Sequence, residues 1–225
     1  MAAHATERIP VGEAGAVFEQ FEDIEQQNET YILGMWSFLV TEVMFFGALF
    51  LMYTIYRWKY QNYWYAIHKD LNITLGATNT VILLASSFSV ALAVYYMQRH
   101  DKWKTLACLG FTNLCAFGFL VIKFFEYKAK IDHGLLPTLG FKWHNPDIPA
   151  GPAELFYSLY FSMTGLHGIH VILGIVVCTT LMIMIARDAK IIRRDYIPVE
   201  LFGLYWHFVD LVWIFLFPLF YLMPK

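Results

Sequence analysis

Charged side chains are scarce in this sequence, at 15% of residues against about 25% in a typical soluble domain. With 58% hydrophobic residues and a mean hydropathy of +0.49, that scarcity excludes water as the chain's principal solvent. The 16 basic residues form no long run, so the footprint of a nucleic-acid-binding protein is missing and no such partner is expected. Cysteine is nearly absent: Cys108, Cys115 and Cys178 fall in apolar stretches without the paired spacing of a disulfide framework or zinc site, and read as buried free thiols. Residues 1–30 hold seven acids (Glu7, Glu13, Glu19, Glu22, Asp23, Glu25, Glu29) against Arg8, with neither a basic leader nor an apolar h-region. No cleavable signal peptide is expected, and the first apolar span must direct insertion itself. The first four spans lack proline and the two halves lack self-similarity, which argues against the paired broken helices of a transporter. Also missing are a phosphate-binding glycine-rich loop, a nucleophile elbow, a CxxCH haem attachment and the Glu-x-x-His of di-iron bundles.

What is present is a set of long apolar runs. A bilayer core about 30 Å thick needs roughly 20 apolar residues in a helix that bonds its own backbone. Five stretches qualify, at about 30–56, 71–98, 105–125, 155–186 and 201–223. The expectation is an all-α polytopic bundle of five transmembrane helices, residues 30–225, behind an acidic N-terminal segment, residues 1–29. Two short connections, 99–104 and 187–200, carry seven Lys/Arg in about 20 positions; the two longer ones, 57–70 and 126–154, carry six in about 43. The positive-inside rule then sets the N-terminus in the cytoplasm and the C-terminus outside. Pro152 followed by Glu154 reads as the start of the fourth helix, and Ala85, Ser89 and Ala93 as a four-residue repeat of small side chains for close helix packing.

Several polar groups sit in the wrong solvent. Glu42 lies near the middle of the first span, where a carboxylate costs about 2.5–3.5 kcal/mol, so it must face protein or water or carry a proton. It is either a hydrogen-bonded acid in a helix interface or a proton-handling, lipid-contacting group. Lys123 and Glu126 are three apart, fit to pair on one helix face with the lysine snorkelling outward. His207 and Asp210 have the same spacing, which suits a carboxylate orienting an imidazole. His167 and His170 lie one turn apart. These acids and histidines also allow a second reading, an autonomous membrane carrier or metalloprotein using Glu42, Glu126, His207 and Asp210.

The segment WSFLVTEVMFFGALF at 36–50 resembles the first span shared by the subunit III family of haem-copper terminal oxidases. In the same order follow Asn79-Thr80 leading into VILLASSFSVALA, KFFEY at 123–127, TGLHGIHVILG at 164–174 and YWHFVDLVWIFLF at 205–217. Family members commonly have seven helices, the first two splayed from the rest around a lipid-filled cleft; this chain resembles the bacterial five-helix form that lacks that pair. The resemblance implies a non-redox accessory subunit of a proton-pumping oxygen reductase in the bacterial cytoplasmic membrane. It would bind subunit I directly, associate with subunit II and other respiratory-complex subunits, support proton uptake and protect the active site during turnover. It also implies that haems and copper belong to the partner subunits, that none is bound by this chain, and that phospholipid is. By position, Glu42 matches the family's carbodiimide-reactive intramembrane acid and Arg187 a site for a lipid phosphate. Lys123, Glu126, His167, His170, His207 and Asp210 match motif positions read as a structural polar network, with no catalytic, cofactor or metal residue assigned. Cytochrome c is the preferred electron donor, with a quinol oxidase or nitric-oxide reductase system as the alternative.

Overall fold

The computed structural model describes residues 21–137, 141–143, 145–188 and 196–222. Among them there are six α-helices and no strand: α1 (Ile24–Lys59), α2 (Gln61–Ile67, continued by a 3-10 turn His68–Asp70), α3 (Ile73–Gln98), α4 (Lys102–Asp132), α5 (Ala150–Ala186) and α6 (Ile197–Tyr221). All but α2 are long and apolar enough to cross a membrane, so the chain is a multi-pass membrane protein.

Side-chain caps set several of the ends. Asp23 accepts from the Gln26 amide at 2.7 Å and starts α1 ahead of the apolar run, which brings Glu25 into its first turn against the positive end of the helix dipole. Asn72 accepts from the amides of Thr74 and Leu75 to open α3. Asp101 accepts from the Lys104 amide and pairs with its ammonium at 2.7 Å; these hydrogen bonds hold the Asp101 carboxyl below the usual carboxylate range. α4 continues to Asp132, beyond the apolar run, and α5 opens at Ala150, two residues before Pro152. Between them, the Lys142 amide bonds the Gly134 carbonyl, with Gly134 at φ +71°, and Trp143 donates to Ile148, so the described part of this connection is folded.

The helices form two rows. α6 stands in the front row with α1 on one side and α3 on the other; behind, α5 packs on α1 and α6, and α4 on α3 and α5. α6 is the most enclosed: half of its most apolar 18 residues are buried inside the protein, against 17% for α1. The closest packing is between α3 and α4, where Ser89 donates to the Cys108 carbonyl and Thr112 to that of Ser86. The small-residue repeat is thereby corrected: Ser86 and Ser89 are buried there and Ala93 is buried on the same stripe of α3, whereas Ala85 is exposed. An i, i+3, i+7 stripe follows the 3.6-residue turn more closely than a four-residue step over the same length.

At the end of the bundle opposite the two basic connections, aromatic rings close the core. Tyr53 packs tilted against Trp64 and edge-on against Phe220, Trp64 edge-on against Phe156, and Phe156 edge-on against Tyr157 and Phe220. Trp64 donates to the Pro152 carbonyl, and Tyr53 to that of Leu219, one of the carbonyls left over at the α6 terminus. Through these bonds α2 lies across the start of α5, and α1 is fastened to the end of α6.

Candidate functional site

Leu39, Phe46 and Tyr53 recur every seven residues and are the buried apolar stripe of α1. Glu42 lies on that stripe, three after Leu39 and four before Phe46, which aims it at the bundle instead of the hydrocarbon. There its Oε2 meets Nε2 of His170 on α5 at 3.1 Å; the two side chains are 19% and 13% exposed. Nδ1 of His170 lies 2.8 Å from the Leu166 carbonyl, the Phe46 ring packs edge-on against the imidazole, and Tyr205 of α6 donates to the His170 carbonyl at 2.8 Å.

This geometry fixes a proton count. A carbonyl only accepts, so Nδ1 carries the hydrogen, and Nε2 is then either a bare acceptor or the second N–H of an imidazolium. A bond to Glu42 requires one proton between Nε2 and Oε2. It resides on the carboxyl, giving a neutral pair, or on the imidazole, giving an ion pair of zero net charge. Either form is tolerable in an apolar medium; loss of that proton leaves two acceptors facing each other.

The remaining sequence-derived polar residues fall into separate places. Lys123 and Glu126 do pair, at 2.9 Å, but the lysine does not snorkel: it is buried, donates also to Tyr221 at 2.8 Å, and lies over the rings of Trp213, Tyr221 and Tyr160. Tyr221 in turn donates to Glu126 and sits 3.3 Å from the Tyr160 hydroxyl. With two of its three protons hydrogen-bonded and three aromatic faces around the ammonium, turning inward costs less than reaching for the interface. His167 is fully buried between Phe119 and Trp213, and neither ring nitrogen has a hydrogen-bond partner among the described residues. The expectation that Asp210 orients His207 directly is corrected: Nδ1 of His207 is 2.7 Å from the Ser87 hydroxyl of α3, and the buried Asp210 carboxyl interacts with that same hydroxyl instead of with the imidazole, neither of its oxygens making a well-formed hydrogen bond among the described residues. His207 is exposed and Asp210 enclosed, so neighbouring faces of α6 keep them apart.

Glu42, Glu126, His207 and Asp210 are therefore not brought together as a carrier or metalloprotein would use them, and among the described residues no three His, Cys, Asp or Glu side chains converge as a metal site. The rings around His167 interrupt the polar groups of the core. Arg187 is exposed at the C-terminal cap of α5, beside Lys102, which donates to the Ala186 carbonyl at 3.0 Å and pairs with Asp188 at 2.8 Å. At 1.5 Å per residue Arg187 is about 25 Å along α5 from His170. Sequence reading missed α2 and the Ser87–His207 and Glu42–His170 bonds; the one advance signal was that a mid-span carboxyl needs a partner.

Residues 151–224 match the family model described as cytochrome c oxidase subunit III. The chain is 30% identical over 222 residues to cytochrome c oxidase subunit 3 of Bacillus sp. (strain PS3), covering 98% of each. It is 31% identical over 193 residues to the probable quinol oxidase subunit 3 of Staphylococcus saprophyticus, covering 85% of this chain and 88% of the relative. It is also 32% identical over 197 residues to the heme-copper oxidase subunit I+III of Aeropyrum pernix, covering 84% of this chain and 22% of that longer protein. The family match on α5 and α6 is thus joined by end-to-end similarity over the whole chain, which belongs to the cytochrome c oxidase subunit III family as a membrane subunit of a haem-copper oxidase complex.

Proposed function

We propose that this chain is the non-redox accessory subunit III of a proton-pumping, oxygen-reducing oxidase in the bacterial cytoplasmic membrane. Its N-terminus lies in the cytoplasm, and it stabilises subunit I and supports proton uptake by that subunit while itself holding no haem or copper. The observation that carries this reading is the match along 98% of both chains to a Bacillus oxidase subunit 3. Direct contact with subunit I is supported by the Aeropyrum relative, whose name joins subunits I and III. The scattering of the histidines and acids favours a structural polar network over catalysis.

In this role the Glu42–His170 pair is a charge-neutral fastening of α1 to the bundle, and the proton it shares can pass between carboxyl and imidazole with no change in the pair's net charge. Phospholipid is the expected ligand. Its phosphate meets the Arg187 guanidinium, whose planar fork matches phosphate oxygens, and its chains run along α5 toward the depth of His170.

The test is purification in mild detergent on a tag at the C-terminus, with an absorption spectrum and mass spectrometry of what co-purifies. Haem bands and a much larger subunit I, together with a colourless, metal-free separated chain, are expected. A chain that purifies alone, or that keeps its own haem or metal, overturns the proposal. Phosphorus analysis of the complex with Arg187→Ala checks the lipid, one phospholipid fewer per complex being expected.

A further inference from the structure

Ser87 lies about 17 Å from the Gln98 end of α3 and about 21 Å from its Ile73 end. His207, bonded to it, is about 15 Å from the start of α6 and about 21 Å from its end. With a hydrocarbon core about 30 Å thick, both helices carry this pair close to the bilayer centre. The imidazole is nevertheless exposed on the outward face of α6, among Leu211, Ile214, Leu84 and Phe88, which are 42–67% exposed. Ser87 occupies Nδ1, and Nε2 has no partner among the described residues.

Other outward-facing polar side chains avoid this predicament. The hydroxyls of Ser37, Thr54, Thr179 and Thr180 return to carbonyls of their own helices, four residues back. Glu42 and His170 satisfy each other. His207 does not return to its own helix: Nδ1 is taken by Ser87 of α3, and no described residue meets Nε2. At this depth a phospholipid offers only methylene and methyl groups, its esters and phosphate lying about 15 Å away. Water is scarce there. A neighbouring transmembrane helix can supply a hydrogen-bonding side chain at the bilayer centre, and such bonds recur between packed membrane helices.

We propose that the outward face of α6 centred on His207 docks a transmembrane helix of another oxidase subunit, one that presents a hydroxyl, amide or carboxyl group to Nε2 at the bilayer centre. The inference rests on reading the chain as a subunit of a larger complex. α1 and α3 flank α6 on either side, so the docked helix lies along the front row and closes the outward strip of the bundle's most enclosed helix.

A photoreactive amino acid at Leu211, one turn from His207, tests this in native membranes with the full oxidase expressed. Irradiation and purification on the tagged chain should give a cross-linked peptide from a membrane span of a co-purifying oxidase subunit. Adducts only with lipid or other small molecules, or only with a second copy of this chain, while the oxidase still co-purifies, overturn the docking proposal and leave the subunit assignment standing. If no oxidase co-purifies, the assignment falls and the docking proposal with it. A second measurement compares His207→Gln with His207→Leu in complexes titrated with detergent. Glutamine, which keeps a hydrogen-bonding group, should retain this chain near the unaltered level and leucine several-fold less. Equal retention by both removes the hydrogen bond and overturns the proposal.

Discussion

At the scale of single residues, the bond between Glu42 and His170 can be separated from the proton it shares. Glu42→Gln places an amide N–H opposite Nε2 and keeps the Nδ1–H bond to the Leu166 carbonyl, so α1 should remain fastened with no titratable carboxyl. Glu42→Ala leaves Nε2 without its partner and should cost about 1–3 kcal/mol, read as easier unfolding in detergent. Equal losses for both variants would mean that the bond contributes nothing. The Lys123–Glu126 pair belongs to another class. Its three-residue spacing made it legible in the sequence, but its direction was not, since that depends on rings contributed by α5 and α6. The partners of Glu42 and His207 were illegible for the same reason, lying 128 and 120 residues away along the chain.

At the scale of elements, two glycines in the same helix behave oppositely. A Cβ on Gly174 would meet Cζ3 of Trp206 at 2.4 Å, and that indole is held by its N–H bond to Ser86 at 3.0 Å. Gly174→Ala should therefore force α5 and α6 apart at a cost of about 1–3 kcal/mol. A Cβ on Gly168 meets nothing within 4 Å, and Gly168→Ala should gain about 0.5–1 kcal/mol from helix propensity. Thermal unfolding of both variants in the same detergent checks the sign of each. The five spans were readable because insertion demands length and apolarity within one segment, properties that need no knowledge of neighbours. α2 was not, because seven residues carry too little pattern, and burial of Trp64 and Ile67 at this turn is a tertiary fact. Helix ends are set by capping and not by hydropathy, so α1 starts at the Asp23 cap, ahead of its apolar span.

At the scale of the whole molecule, the proposed orientation makes one end of the bundle reachable from each side. A cysteine replacing Trp103, which is 80% exposed at the basic end, should react with an impermeant thiol reagent only from the cytoplasmic side. One replacing Asn62 at the aromatic end should react only from outside, and the reverse pattern would invert the topology. The front row of α1, α6 and α3 is assembled from the first and last parts of the chain, whereas α3 and α4 are consecutive and make the closest packing. His170 is 128 residues downstream of Glu42. At a synthesis rate of about 5–20 residues per second, α1 therefore waits roughly 6–26 s before its partner has been made. Throughout that interval the acid has no imidazole to share a proton with, and it must enter the membrane as the neutral carboxylic acid or stay with the insertion machinery. This fastening thus forms late, with the Tyr53 bond to Leu219 on α6 still to follow, its acceptor lying 166 residues downstream, and α1 is the segment most dependent on a chaperoning surface during biogenesis.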